Sequence, residues 1–296
     1  MARLTAADFD QELLILFDAY VHGDLDRRGF LDRAGKFAVG GMTAVGLLAA
    51  LSPDFAAAQV VPKDDARLKT EVVDVPSPSG YGTIKAYVAK PANATGKLPS
   101  VLVVHENRGL NPHIEDITRR IALDGYLALA PDALTPLGGY PGDEDKARTL
   151  FATLDQTKTR QDMMAAAAAL NARADSSGRV GVVGFCYGGG IAHMLSTQLP
   201  DLAAAVPFYG NHPPVEDAAR VSTPLLIHFA GVDERINAAW PTYEAALKMG
   251  GARYTAHQYP GTQHGFNNDT TPRFDAAAAK LSWDRTMAFF KERLTA

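Results

Sequence analysis

Residues 179–190, RVGVVGFCYGGG, decide the fold. The short apolar run at the start is typical of a buried strand, and the glycine-rich end is where a helix begins. Between them, Cys186 is the central residue of the pattern G-x-C-x-G, with Gly184 and Gly188 on either side. A nucleophile on such a sharp turn has a strained backbone, so very small residues must flank it. The stretch therefore predicts a nucleophile elbow that carries cysteine instead of serine.

Cys186 is the single cysteine of the 296-residue chain, which excludes an intrachain disulfide and a cysteine-rich metal cluster. The chain contains no G-x-S-x-G, so no serine competes for the role of nucleophile. The dipole of the following helix favours the thiolate. We expect the sulfur to lie exposed at the bend, within reach of an imidazole. The alternative is a buried structural cysteine beside a glycine-rich turn.

Strand and helix patterns alternate on both sides of this turn. An antiparallel pair is expected first, at residues 71–75 and 83–89. Strands are then expected at 100–105, 126–130, 179–183, 203–208, 224–229 and 253–258, and helices at 114–123, 143–154, 159–172, 189–198, 238–249 and 274–294. This alternation predicts a mostly parallel central sheet with helices on both faces. With the elbow, it predicts the α/β-hydrolase fold.

In that fold the acid and the histidine follow the nucleophile along the chain. Asp233 comes just after the strand at 224–229, and His264 lies on a loop before the last helix. We expect His264 to act as general base toward the thiol and then toward water, while Asp233 holds its tautomer. Glu234 is the rival for the acid. The other seven histidines fit less well, among them His22, which lies in the N-terminal segment.

At these residues the chain resembles the dienelactone hydrolase (carboxymethylenebutenolidase) family, from about residue 71 to the C-terminus. The likeness covers G-x-C-x-G-G at 184–189, the Gly231-x-Asp233 loop and the run QHGF at 263–266. The resemblance implies hydrolysis of a small ester or lactone through a Cys-His-Asp triad and a thioacyl-enzyme intermediate. The alternatives are a peptidase, amidase or lyase on the same scaffold, or a non-catalytic binding protein.

The resemblance also implies roles for residues after the strand at 100–105. Glu106 matches a family glutamate that contacts the resting thiol until substrate displaces it; a salt bridge to Arg108 or Arg119 is the alternative. The backbone N–H groups of Tyr187 and Asn107 would form the oxyanion hole, in which one donor contributes about 3 kcal/mol.

The carboxylate-binding residues of the family do not carry over. Lactone-cleaving members hold a substrate carboxylate with two arginines, at positions where this chain has Asn268 and Glu144. Arg148, close to the second position, and Arg108 are the candidate substrate-binding residues. The nucleophilic residues match the family, and the residues expected to bind the substrate differ.

Residues 1–58 differ from the hydrolase domain predicted for residues 59–296. Apolar residues at helical spacing over 4–21 precede the run RRGFL at 27–31, an apolar run at 37–51 and the triplet AAA at 56–58. This order resembles a twin-arginine export signal and implies a periplasmic protein. The alternative is a cytoplasmic protein whose helical arm is retained and covers the domain or pairs with a second subunit. The apolar run of about 15 residues is short for a membrane span, which needs about 20.

Composition limits the partners. The net charge is −4 with no block of like charges, so neither nucleic acid nor an acidic membrane surface is an expected partner. The chain has no H-E-x-x-H, no Cys/His cluster and no G-x-G-x-x-G, so we expect neither a metal nor an organic cofactor. The expected partner is a small-molecule substrate.

Overall fold

An eight-stranded sheet forms the centre of the protein in the computed structural model, which describes residues 4–38 and 42–295. The strands lie in the order β1-β2-β4-β3-β5-β6-β7-β8. Pairs β1–β2 and β2–β4 are antiparallel, and all other neighbours are parallel. The strands are β1 Leu68–Ser77, β2 Gly82–Pro91, β3 Leu98–Val104, β4 Leu127–Pro131, β5 Ser176–Phe185, β6 Ala204–Phe208, β7 Leu225–Val232 and β8 Tyr254–Gln263.

Helices cover both faces of this sheet. Along β3, Val101 and Val103 pack toward one face, while Leu102 and Val104 pack toward the other. Side chains of α5 and α11 lie on the first face, and those of α6, α7, α8 and α10 lie on the second. A strand buried on both faces is apolar along its buried part, as β3 is from Val101 to Val104. The prediction of an α/β-hydrolase fold is confirmed. The helices after the N-terminal segment are α5 Pro112–Leu123, α6 Glu144–Ala152, α7 Gln156–Ala172, α8 Tyr187–Gln198, α9 Glu234–Asn237, α10 Trp240–Met249 and α11 Ala276–Leu294.

The N-terminal segment has a small apolar core of its own. Its helices are α1 Gln11–His22, α2 Arg27–Ala34, α3 Ala44–Leu51 and α4 Phe55–Ala58. The buried face of α1 meets Phe30 of α2 and Leu47, Leu48 and Leu51 of α3. Helix α1 ends at Gly23, whose φ of 87° suits a glycine C-cap. We call residues 4–38 the N-terminal arm.

Residues 39–41 of the predicted apolar run lie outside the described residues, and α3 accounts for the rest of that run after residue 43. Among the helices of residues 4–38 and 42–295, none is long and apolar enough to cross a membrane. Export through a twin-arginine signal, and the boundary at residue 58, stay predictions.

Candidate active site

The turn between β5 and α8 places Cys186 at the carboxyl edge of the sheet. Its backbone has φ 55° and ψ −111°, a strained conformation for a residue with a side chain. A Cβ on Gly184 would lie 1.9 Å from the carbonyl oxygen of Gly188, and one on Gly188 would lie 2.2 Å from that of Val104. These close backbone approaches are the physical reason for the G-x-C-x-G spacing.

Gly184→Ala is expected to destabilise the fold by more than about 4 kcal/mol, in the range of severe core disruptions. The added methyl group meets backbone that cannot turn away. The matched control is Gly35→Ala, because Gly35 has φ −55° and open space around it. Urea unfolding of the two variants checks the prediction, and equal midpoints would contradict it.

Asp233 and His264 form a buried pair beside the elbow. Oδ2 of Asp233 lies 2.6 Å from Nδ1 of His264, and both side chains are almost fully buried. Asp233 follows β7 and caps α9, and His264 follows β8, so the ends of two neighbouring strands bring the pair together. Glu234, the rival acid, is exposed. With the proton on Nδ1 held by Asp233, Nε2 of His264 is the nitrogen left to act as base.

The ring of Tyr209 packs against the ring of His264. The two ring centroids are 4.9 Å apart, and the backbone of Tyr209 has φ 37°, a second strained position at this edge. Burial raises the pKa of Tyr209 well above its ordinary value, and the charges of Glu106 and Cys186 add to the effect. The phenol therefore stays neutral and packs against the imidazole of His264.

The nearest imidazole to the thiol belongs to the N-terminal arm. Nε2 of His22 lies 3.2 Å from Sγ of Cys186, and the rings of His22 and His264 meet edge to face at 4.6 Å. From the sequence, His22 fits the role of base less well than His264 because it lies in the N-terminal segment; the structure nevertheless places its ring against the thiol. The one available signal was Asp18 four residues earlier on α1, which gives His22 an acid partner of its own.

The arm buries the thiol. Cys186 is 8% exposed, so the expectation of an exposed sulfur is wrong for this arrangement, because α1 lies over the bend. Nε2 of His264 is also buried and has no hydrogen-bond partner. A buried polar atom left unpaired costs about 1–3 kcal/mol. The described state therefore holds an unpaired imidazole nitrogen beside a covered thiol.

Asp18 connects the arm to two arginines of the domain. Its carboxylate lies 3.1 Å from Nη1 of Arg273 and 3.9 Å from Nε of Arg235. Burial opposes ionisation of Asp18, but the charges of His264, His22 and Arg273 and the hydrogen bond from His22 outweigh it and hold the pKa well below its usual range. Burial likewise lowers the pKa of His22, but the neighbouring Cys186 and Asp18 raise it more, so its pKa is raised overall.

Backbone contacts hold the end of α1 in place. Asn107 donates from Nδ2 to the carbonyl of Val21 at 2.9 Å, and Arg148 donates from Nη1 to the carbonyl of Tyr20 at 2.8 Å. The guanidinium of Arg148 also lies over the ring of Tyr20, 4.2 Å from its centroid. Arg148, a candidate substrate-binding residue, therefore binds the arm in this state.

The remaining candidates have other partners. Glu106 accepts a hydrogen bond from Asn268 at 3.0 Å, and the partner of the thiol is His22. Arg108, a candidate substrate-binding residue, is buried and pairs with Glu144 at 2.8 Å. Arg119 pairs with its own helix, 3.5 Å from Asp116. Neither of these arginines forms the salt bridge to Glu106 that was considered.

Two cavities reach Cys186. The cavity between the thiol, His264 and Arg273 has a volume of only about 20 Å³, because Phe17 and Val21 of the arm fill it. Ligand pockets usually measure about 300–1,000 Å³. A second cavity of about 470 Å³ approaches from the α7 and α8 side, where its walls include Arg160, Met194 and His212.

A strained elbow with an acid–histidine pair at the carboxyl edge of this sheet defines a hydrolase of the α/β-hydrolase fold. The chain belongs to the dienelactone hydrolase family, whose family model matches residues 84–294. A second family model, described as YqhI-like, matches residues 1–38, which include the arm.

Curated relatives and a solved structure agree with this assignment. A carboxymethylenebutenolidase homologue of Salmonella typhi is 32% identical over 262 residues, 83% of this chain and 95% of that one. A homologue in Escherichia coli (strain K12) is 34% identical over 230 residues, 73% of this chain and 84% of that one. A crystal structure of a dienelactone hydrolase homologue from Klebsiella pneumoniae has a TM-score of 0.68 and 29% identity, and covers 76% of this chain and 99% of that one.

Proposed function

We propose that this protein cleaves a small ester or lactone through a thioacyl-enzyme formed on Cys186. The observation that carries the proposal is the strained turn at Cys186 beside a buried Asp233–His264 pair whose Nε2 atom has no partner. A nucleophile, a base and a group that orients the base are the minimum set for acyl transfer.

The reaction has two halves. Once the arm withdraws His22, Nε2 of His264 takes the thiol proton and the sulfur adds to the carbonyl carbon of the substrate. The N–H groups of Tyr187 and Asn107 bind the oxyanion, the C–O bond breaks, and His264 returns the proton to the leaving alcohol oxygen. Water deprotonated by His264 then adds to the thioester, which releases the acid and regenerates the thiol. For a lactone, acid and alcohol stay in one molecule.

The arm defines a closed resting state in this proposal. His264 and the thiol must both touch the substrate carbonyl, and Phe17, Val21 and His22 occupy that space. The cavity of about 470 Å³ on the other side of Cys186 can hold one part of the substrate without any movement. The arm must therefore shift for the base to reach the reacting atoms.

Arm opening also exposes charge for substrate recognition. Asp18 neutralises Arg273 in the closed state, and the carbonyl of Tyr20 occupies Arg148. Arg273 and Arg148 lose these partners when α1 moves away, whereas Arg108 stays paired with Glu144. We propose Arg273, with Arg148, as the contact for an anionic group of the substrate. Glu106 can meet the thiol, as the family resemblance implies, only after its bond to Asn268 breaks.

Trapping the acyl group tests this proposal. Acid quench of the protein a few turnovers after mixing with an activated aryl ester should give a mass increase of one acyl group on the peptide that contains Cys186. The thioester forms because sulfur is the proposed attacking atom. An acyl group on another residue, or turnover of an amide but no ester, would contradict the proposal. Cys186→Ala serves as the blank for labelling.

A further inference from the structure

The covered site brings together three atoms that are good ligands for zinc. We propose that Nε2 of His22, Sγ of Cys186 and Nε2 of His264 bind Zn²⁺ and that the ion fastens the arm over the nucleophile. One ligand atom from each of the three residues lies within 4.8 Å of the other two. The metal site itself rests on the position of the arm, and its effect on activity rests on the proposed function.

The distance between two of the three ligand atoms is close to that of a four-coordinate zinc site, and the third atom lies within 4.8 Å of both. Zinc binds histidine nitrogen at about 2.0–2.1 Å and cysteine sulfur at about 2.3 Å, so ligand atoms in a tetrahedral site lie roughly 3.4–3.6 Å apart. Sγ of Cys186 and Nε2 of His22 are 3.2 Å apart before any ion is bound. The two imidazole rings stand at 86° to each other, so one ring edge faces the other instead of stacking on it. Small side-chain rotations complete the site, and a water molecule would take the fourth position.

In each histidine the second ring nitrogen also has a hydrogen-bond partner, as is usual in histidines that bind zinc. Nδ1 of His264 meets Asp233 at 2.6 Å, and Nδ1 of His22 meets the backbone oxygen of Asp18 at 2.8 Å and its carboxylate at 3.3 Å. These contacts fix the proton on Nδ1 and leave Nε2 for the metal. Nε2 of His264 is the independent sign of a ligand, because its side chain is 4% exposed and the atom has no hydrogen-bond partner.

One neighbouring charge opposes the ion. Nη2 of Arg235 lies 3.1 Å from Nε2 of His22, and its side chain is 33% exposed and also reaches Asn211 at 3.3 Å. Because the guanidinium is near the surface, it can turn toward solvent when the ion arrives. Removing this positive charge should therefore tighten metal binding.

Zinc at this position would silence the enzyme reversibly. Coordination displaces the thiol proton, engages the sulfur lone pair that attacks a carbonyl, and occupies the base nitrogen of His264. The bound ion also joins the arm to the elbow directly. A chelator should restore both activity and access to the thiol.

Metal titration of the full chain under reducing conditions tests the site. We expect calorimetry to show one Zn²⁺ per chain, and Co²⁺ to give a thiolate-to-metal charge-transfer band in the near ultraviolet. Replacing a residue that hydrogen-bonds to a metal-binding histidine typically weakens metal affinity about 10–100-fold, and we expect a loss of this size in Asp18→Asn. His22→Gln removes a ligand, so its loss of affinity should be larger. Arg235→Gln should bind more tightly than the wild type. His257→Gln, a partly exposed strand histidine outside the cluster, is the matched control and should bind like the wild type.

Three results would overturn the inference: no binding at millimolar Zn²⁺, a cobalt complex without the thiolate band, or equal affinity in His22→Gln and the control. Arg235→Gln keeps all three ligands, so weaker binding in that variant would also count against the site. Thermal unfolding of each variant verifies that it is folded. Metal binding without any acyl group on Cys186 would refute the proposed function and leave this site intact. An acyl group on Cys186 without metal binding would refute this site and leave the proposed function intact.

Discussion

Cys186→Ala is expected to lower kcat/KM for a small activated aryl ester by about 10⁴-fold or more, since removing one member of a nucleophilic triad removes nearly all of its effect. Cys186 is the single cysteine of the chain, and its side chain occupies the nucleophile position of the elbow. No hydroxyl group takes that position in its place. The variant should fold normally, because alanine keeps the Cβ and the same backbone strain. Initial rates of ester hydrolysis measure the loss.

Cys186→Ser is the informative companion to this variant. It keeps the geometry of an elbow nucleophile and replaces a thiolate with a hydroxyl, which depends wholly on His264 for activation. We expect activity between that of the wild type and that of the alanine variant. Undiminished turnover in Cys186→Ala would refute the thioacyl mechanism outright.

Asp18→Ala is expected to raise the rate of hydrolysis of bulky esters about 10–100-fold. Losing one partner of a buried ion pair costs several kcal/mol, and the 23% exposure of the Asp18 side chain reduces this to about 1.4–2.8 kcal/mol of arm docking. When the competent state is rare, apparent affinity scales with its population. Cys186 should also react faster with iodoacetamide by a similar factor.

The control for this prediction is Asp24→Ala, an exposed aspartate just beyond the end of α1. It removes the same charge from the arm without touching Arg273, so both rates should match the wild type. A change in hydrolysis without a change in alkylation would mean that Asp18 acts on the substrate and not on the position of the arm.

Local features were predictable because they depend on nearby residues. The strand, turn and helix around Cys186 follow from an apolar run and from glycines at fixed offsets, and the sheet follows from alternation along the chain. The position of Asp233 and His264 at the ends of adjacent strands also follows from the order of elements.

The parts that were missed depend on contacts between distant segments. His22 is 164 residues from Cys186 in sequence, and it reaches the thiol where α1 packs on α2 and Asp18 meets Arg273. Likewise, the burial of Arg108 depends on Glu144 of a later helix. No periodicity or motif reports such pairings, so a histidine in a segment that resembles an export signal is not predicted to lie beside the thiol.

The cover and the nucleophile belong to one polypeptide. Closure is therefore a unimolecular event, with a strength that dilution of the protein does not change. A detached peptide with the sequence of α1 would have to reach about millimolar concentration to match the local concentration that a short tether provides. Release of the thiol therefore has to happen within this one chain: a molecule competes with α1 for its position, an ion that fastens α1 is removed, or the chain is cut between α1 and the catalytic domain.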